Sequence, residues 1–243
     1  MSFPQSIMGK YGWEKVTTTA QKHKLGTRMQ IFDREFVYAQ AGEAITAGLL
    51  IMGKAGTAAH QVDLAVSAAS AGATTVTLSG SLTIAKDLYK DGWLIFNDVE
   101  EEGHMYRVKG NTVVSSATGC VITLDEEDGL VTAITTSQQV GLYENPYKEV
   151  DIHDADDIDH VPLGWACVDI ADESYGWLCT TGLTTALIEG TPGIGLPLVA
   201  SNSANGSVEI LDSDADDEGT IVGYMGPIAG VNGEYGLIKA NIG

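Results

Sequence analysis

The residues best equipped for chemistry in this chain are acids and histidines crowded into short runs. His153-Asp154-Ala155-Asp156-Asp157-Ile158-Asp159-His160 places two imidazoles and four carboxylates within eight positions. Such a set could hold a divalent cation, yet His-x6-His with interleaved Asp has no zinc-site spacing. The expectation is a solvated acidic loop between strands, with a weak calcium site as the alternative. Asp212-Ser213-Asp214-Ala215-Asp216-Asp217-Glu218-Gly219 resembles a calcium loop. An EF-hand needs Gly at its sixth position and a bidentate Glu at its twelfth. Here those positions hold Asp217 and Gly223, so the motif fails and a solvated hairpin loop is expected. Glu100-Glu101-Glu102 beside His104, and Asp125-Glu126-Glu127-Asp128, are paired carboxylates. Glycosidase chemistry needs two carboxylates held apart across a sugar. Adjacent acids in Gly-flanked turns are not so placed, and turn solvation is expected for both runs.

Nucleophile and phosphate signatures are weak. There is no Gly-x-Ser-x-Gly elbow, and Gly190-Thr191-Pro192-Gly193-Ile194-Gly195 has no following helix to present amides to a phosphate. Cys120, Cys167 and Cys179 have no metal-type spacing and no His nearby in sequence. They read as reduced, small core residues made in a reducing compartment. No catalytic residue, metal site or cofactor is expected, and the chain reads as a non-enzyme.

These residues have to be positioned by strands, because helical signals are nearly absent. Short runs rich in Val, Ile, Thr and aromatics are separated by Gly, Asn and Asp. They fall at 34–39, 74–78, 93–97, 104–109, 112–114, 121–124 and 139–143. Further runs lie at 164–170, 175–180, 185–188, 197–200, 208–211, 221–225 and 235–242. Helical turns are possible near 85–89 and 125–130. Spacing of about ten residues between strands predicts an all-β fold with a barrel or sandwich core. The dipeptides Asn205-Gly206 and Asn232-Gly233 mark hairpin turns. Ala41 to Gly48 reads as the start of a unit that resumes at Val161-Pro162-Leu163-Gly164-Trp165-Ala166. The expected organisation is an extended N-terminal arm at 1–30, a discontinuous β core at 31–57 and 148–243, and an inserted β subdomain at 58–147.

Charge separates the two ends of this scheme. The chain has 243 residues and a net charge of -20, yet 1–30 carry Lys10, Lys15, Lys22, Lys24 and Arg28 against Glu14 alone. Such asymmetry marks a segment that touches something the body does not. Phe3, Tyr11 and Trp13 make it richer in aromatics than a solvated tail. An anionic body with few clustered cations argues against nucleic acid, so an acidic protein neighbour is the expected target. No run of about eighteen apolar residues is present, so no membrane-spanning helix is expected, and no apolar signal core opens the chain. In Tyr175-Gly176-Trp177-Leu178 the two aromatics share a strand face, which reads as a core pair or as an interface anchor. The expected partner-binding residues are therefore Lys10, Tyr11, Trp13, Lys15, Lys22, Lys24, Arg28, Tyr175 and Trp177.

Several segments together resemble a known family. They are Tyr38-Ala39-Gln40-Ala41-Gly42-Glu43-Ala44-Ile45-Thr46-Ala47-Gly48-Leu49, Asp91-Gly92-Trp93-Leu94-Ile95-Phe96-Asn97-Asp98 and Glu102-Gly103-His104-Met105-Tyr106-Arg107-Val108-Lys109. The likeness resumes at Pro162-Leu163-Gly164-Trp165-Ala166 and Tyr175-Gly176-Trp177-Leu178, and closes with Gly233-Glu234-Tyr235-Gly236-Leu237-Ile238-Lys239-Ala240-Asn241-Ile242. This pattern is similar to virion structural proteins of tailed bacteriophages, notably the capsid decoration or cement proteins. The resemblance implies a homotrimer on the outside of the head, bound to the major capsid protein and made in the bacterial host cytoplasm. The long arm and the inserted unit depart from the smallest members. A tail, neck or host-attachment component is the alternative, which copy number per particle separates. A third reading, an enzyme on surface polysaccharide, would require turnover that depends on Glu101, Asp156 and Asp157. Under the first reading, removal of 1–30 is expected to abolish capsid binding and leave a folded body.

Overall fold

The computed structural model describes residues 6–99, 101–117, 119–156, 161–211 and 220–242. The chain is all-β, and it forms two compact units. The first comprises Met1–Ala55 with Pro146–Gly243, and the second comprises Gly56–Asn145, where 58–147 was expected for the insertion.

In chain order the first unit begins with β1 (Ser6–Met8), β2 (Arg28–Ile31), β3 (Arg34–Gln40) and β4 (Leu50–Met52). The second unit holds β5 (Leu64–Ala65), β6 (Thr75–Leu78), β7 (Leu82–Ile84), β8 (Trp93–Phe96), β9 (Met105–Asn111), β10 (Val114–Ala117), β11 (Cys120–Leu124) and β12 (Gln139–Tyr143). The first unit then resumes with β13 (Asp151–Ile152), β14 (Pro162–Ala166), β15 (Tyr175–Ile188), β16 (Pro197–Ala200), β17 (Ser207–Ile210), β18 (Gly223–Met225) and β19 (Tyr235–Asn241).

The first unit is organised by β15, a strand of 14 residues. Its first half pairs with β3 and β14, and its second half pairs with β19 and β17. Because β17, β16, β18 and β19 also pair in turn, β15 to β19 close into a five-stranded barrel. Its interior is filled by Trp165, Leu198, Val208, Met225 and Ile238. Sequence placed a break in the middle of β15; the strand instead runs through Gly182. There φ is +94°, and an added Cβ would lie 2.6 Å from the Asp33 carbonyl oxygen. Only glycine accepts both conditions at once. The bend and the irregular register between Cys179 and Thr181 let one strand serve two layers.

In the second unit the strand order is β5-β12-β8-β9-β11-β6, a sheet that curls into a half-barrel. A bridge between Val66 and Leu78 links its two ends. Alternation decides which side chains enter: along β11, Cys120, Ile122 and Leu124 are buried, and the residues between them are partly exposed. They pack with Val76, Leu94, Phe96 and Val108. The segment at 85–89 is a hydrogen-bonded turn, closed by Leu88 N–H to Ala85 O at 3.3 Å, and not a helix. Short 3-10 turns occur instead at Trp13–Lys15 and Ala58–His60.

Residues 6–30 do not reach away from the body. β1 lies parallel to β2, and β2 forms a hairpin with β3. Along β2 the burial alternates, with Met29 and Ile31 inward. Leu25, Met29 and Ile31 share a core with Phe36, Tyr38, Trp177 and Cys179. The expectation that removal of 1–30 leaves a folded body is therefore corrected. That cut deletes β1 and most of β2, and it empties part of a core.

Candidate functional site

The cationic and aromatic residues near the start of the chain form an outward face on the first unit. From β1 the backbone stays in register through Gly9, whose N–H donates to Gln30 O at 2.9 Å. It then turns at Gly12, where φ is +95°, into the Trp13–Lys15 turn. The Glu14 carboxylate is buried in this turn and accepts the Gly12 N–H at 2.8 Å. The one acid of the segment is thus consumed internally, and Lys10 and Lys15 stay at the surface. The Lys10 ammonium sits 5.7 Å from the Trp13 ring centroid, within cation–π range. Tyr11 lies 5.0 Å, centroid to centroid, from Phe32. Both residues are 69% exposed, and Met8, Trp13 and Val16 are exposed as well.

Phe32 was not singled out by sequence, and its geometry is the most unusual on this face. It is the first of two residues, Phe32-Asp33, that join the paired Ile31 and Arg34. Its φ is +56°. A hairpin turn with positive φ at that position ordinarily takes glycine. For a bulky aromatic this conformation costs about 1–2 kcal/mol. The signal available in the sequence was a large ring where a tight turn calls for Gly or Asn.

The remaining predicted partner residues divide differently. Lys22 and Lys24 are exposed, but the Lys22 N–H donates to Tyr38 Oη at 3.1 Å, which ties its backbone to the body. Arg28 faces Glu35 at 3.4 Å, with both side chains about half exposed; such a pair contributes little. Thr18 exchanges backbone hydrogen bonds with Tyr175 at 3.0 and 2.8 Å. The Tyr175 ring stacks on Tyr38 at 5.9 Å. Trp177 is buried, 5.0 Å from Tyr38 and 5.4 Å from His23. Burial lowers the His23 pKa below its ordinary value. Tyr175 and Trp177 therefore anchor the segment to its own core, and Trp177 presents no open face to a partner.

The acidic runs are not uniformly solvated. His153, expected in a solvated loop, is fully buried; its Nε2 donates to Ser201 O at 2.6 Å. Asp154 and Asp156 lie nearer the surface, and 157–160 and 212–219 fall outside the described residues. Glu101, expected in a solvated turn, has a fully buried side chain. It accepts hydrogen bonds from Tyr106 Oη, His104 Nδ1 and Thr132 Oγ1, each at 2.6 Å, and from the Thr132 N–H. Burial opposes its charge, but the Thr132, Tyr106 and His104 donors together hold its pKa below the usual value. Glu101 joins three segments of the second unit as a structural acceptor. Among the described residues, no group of three or more His, Cys, Asp or Glu is arranged to hold a metal ion.

Of the three cysteines, Cys120 and Cys179 are buried, as expected for core residues. Cys167 is only half-buried and lies against the Arg34 guanidinium. Sequence gave no sign of this pairing, because the two residues are 133 positions apart.

No family model, curated protein or solved structure matches this chain. The outward face combines exposed aromatic area, a positive-φ Phe32 at a hairpin tip and ammonium groups on a chain of net charge -20.

Proposed function

We propose that this chain is a structural docking protein of a bacteriophage virion, a decoration protein on the outside of the capsid. The observation that carries the reading is the exposed pair of Tyr11 and Phe32, with the exposed Trp13 ring under the Lys10 ammonium close by in the chain. Aromatic anchors dominate protein contacts, and backbone strain retained at an exposed ring points to a use for that ring. The lysines favour an acidic patch on the major capsid protein and would steer encounter toward it. Among the described residues β1 ends the strand order of its sheet, an edge suited to strand addition. The resemblance in the β segments directs the choice of partner. A repeating shell multiplies a modest contact by avidity.

Self-association as a homotrimer has its own support. The outer wall of the barrel exposes Leu183 on β15, Tyr224 on β18, and Tyr235 and Leu237 on β19. Apolar surface of this kind marks an interaction face.

The test is co-sedimentation of the full chain with capsid shells that lack it. The comparison is a Tyr11→Ser/Trp13→Ser variant with an unchanged melting temperature. Binding should weaken at least tenfold, and sedimentation velocity should give three times the 25.6 kDa chain mass. A folded variant that binds shells as well as the parent, or a parent that binds none, defeats the proposal.

A further inference from the structure

Arg34 is a half-buried guanidinium with an unusual set of neighbours. One face lies 4.8 Å from the Phe36 ring centroid. Its Nη2 donates to Cys167 Sγ at 3.2 Å. Its Nε is buried and has no hydrogen-bond partner, and among the described residues Arg34 pairs with no carboxylate. A guanidinium is always charged, and a charge partly removed from water needs a counter-charge nearby. The group offered here is sulfur. Cys167 follows β14 and is half-buried, whereas Cys179 on β15 is fully buried. Cys167 packs against the buried cluster that contains Cys179, whose thiol donates to Thr181 O at 3.6 Å.

We propose that Cys167 is the nucleophilic thiolate of a thiol-redox site, with Arg34 as its counter-ion and Cys179 as the resolving thiol. The oxidant class is a hydroperoxide. The Cys167 thiolate attacks one peroxide oxygen, the O–O bond breaks, and the leaving oxygen takes a proton from water. Sulfur loses two electrons and becomes a sulfenic acid. The Cys179 sulfur then attacks Cys167 Sγ, the S–O bond breaks, and water departs with the Cys179 proton. A disulfide between Cys167 and Cys179 remains.

The acidity of the three thiols runs the same way. Burial alone raises a cysteine pKa, and it does so at Cys120. At Cys167 the neighbouring Cys179 thiol is the largest influence. Burial opposes it, and the Arg34 charge, the Arg34 hydrogen bond and Thr184 reinforce it, so the thiol is lowered below its ordinary value. Cys179 is pushed up by the neighbouring Cys167 and by burial. At pH 6 a thiol shifted in this direction carries more thiolate than an ordinary cysteine. The lower intrinsic nucleophilicity of the more acidic thiol cancels part of this gain.

The experiment uses the full native chain, iodoacetamide and hydrogen peroxide, read by peptide mass spectrometry. Cys167 alkylation at pH 6 should slow about twofold or more in Arg34→Gln, and its pH–rate midpoint should rise. Peroxide should yield the Cys167–Cys179 disulfide in the parent. In Cys179→Ala it should yield a Cys167 sulfenic acid trapped by dimedone. Equal alkylation rates in parent and Arg34→Gln would overturn the proposal. If Arg34→Gln fails to fold, the Cys179→Ala result decides alone, and no dimedone adduct at Cys167 overturns it.

Discussion

Glu101→Gln is the sharpest single perturbation of the second unit. The substitution keeps shape and volume and changes only charge and acceptor count. Glu101 receives donors at both oxygens: Thr132 N–H and Oγ1 at Oε1, and Tyr106 Oη and His104 Nδ1 at Oε2. An amide leaves one oxygen acceptor and turns an NH2 group toward two donors. His104 is about half exposed and can turn to water. Tyr106 cannot do so as easily, because it is buried and already accepts the Val131 N–H at 3.0 Å. The loss is about two charge-assisted hydrogen bonds with partial recovery, or roughly 3 kcal/mol. For a domain of this size each kcal/mol shifts melting by about 4–8 °C. Calorimetry at pH 7 should show the second unit melting roughly 12–24 °C lower in the variant. The difference should also depend on pH with a definite sign. The Glu101 pKa is lowered by folding, so its contribution is complete above the unfolded value of about 4.3. It is lost as pH falls through the lower folded value. The gap between parent and variant should therefore narrow in acid. A melting change under about 3 °C at pH 7, or a gap that widens in acid, would refute the account of Glu101 as a buried acceptor.

Two backbone predictions follow from the first unit. Phe32→Asn should be neutral or stabilising by about 1 kcal/mol in urea denaturation, because Asn tolerates positive φ; the same variant should dock less well if the ring is an anchor. Gly182→Ala should cost about 2 kcal/mol or more, since the added methyl meets the Asp33 carbonyl oxygen at 2.6 Å in a left-handed backbone. Equal stability of parent and Gly182→Ala would mean that β15 does not bend there.

What could be read from sequence was whatever is encoded locally. Alternation in Thr75-Val76-Thr77-Leu78 specified β6 and its buried face, with Val76 and Leu78 inward. The same logic gave the all-β class. β1 was invisible because three residues, Ser6 to Met8, carry no period. The bend at Gly182 read as a break because a glycine between two β-rich runs looks the same in both cases. The acceptor role of Glu101 depends on Thr132, and the setting of Cys167 depends on Arg34; neither partner is close in sequence. His153 was read by its acidic neighbours, but its partner is Ser201. Lys10, Tyr11 and Trp13 were legible by residue type alone, since their exposure follows from a turn that buries only Glu14.

The placement of 6–30 also decides how docking has to be tested. Truncation removes Leu25 and Met29 from a core that includes Phe36 and Trp177. Emptying one such buried site costs about 2–5 kcal/mol, a large fraction of the stability of an ordinary domain. A truncated chain that fails to bind is thus explained by unfolding, whatever the face does. Reversing surface charge avoids this, because substitutions away from buried features stay within about 0.5 kcal/mol. Lys10→Glu/Lys15→Glu should melt with the parent and still lose binding to an acidic surface. Its remaining binding should have lost the salt sensitivity of the parent, since exposed charges are screened beyond about 10 Å at 0.1 M salt. The measurement is shell binding of both proteins at 50 mM and 500 mM salt. If the parent proves insensitive to salt, or the double variant binds equally at low salt, the lysines do not select the partner, and recognition rests on the aromatic rings alone.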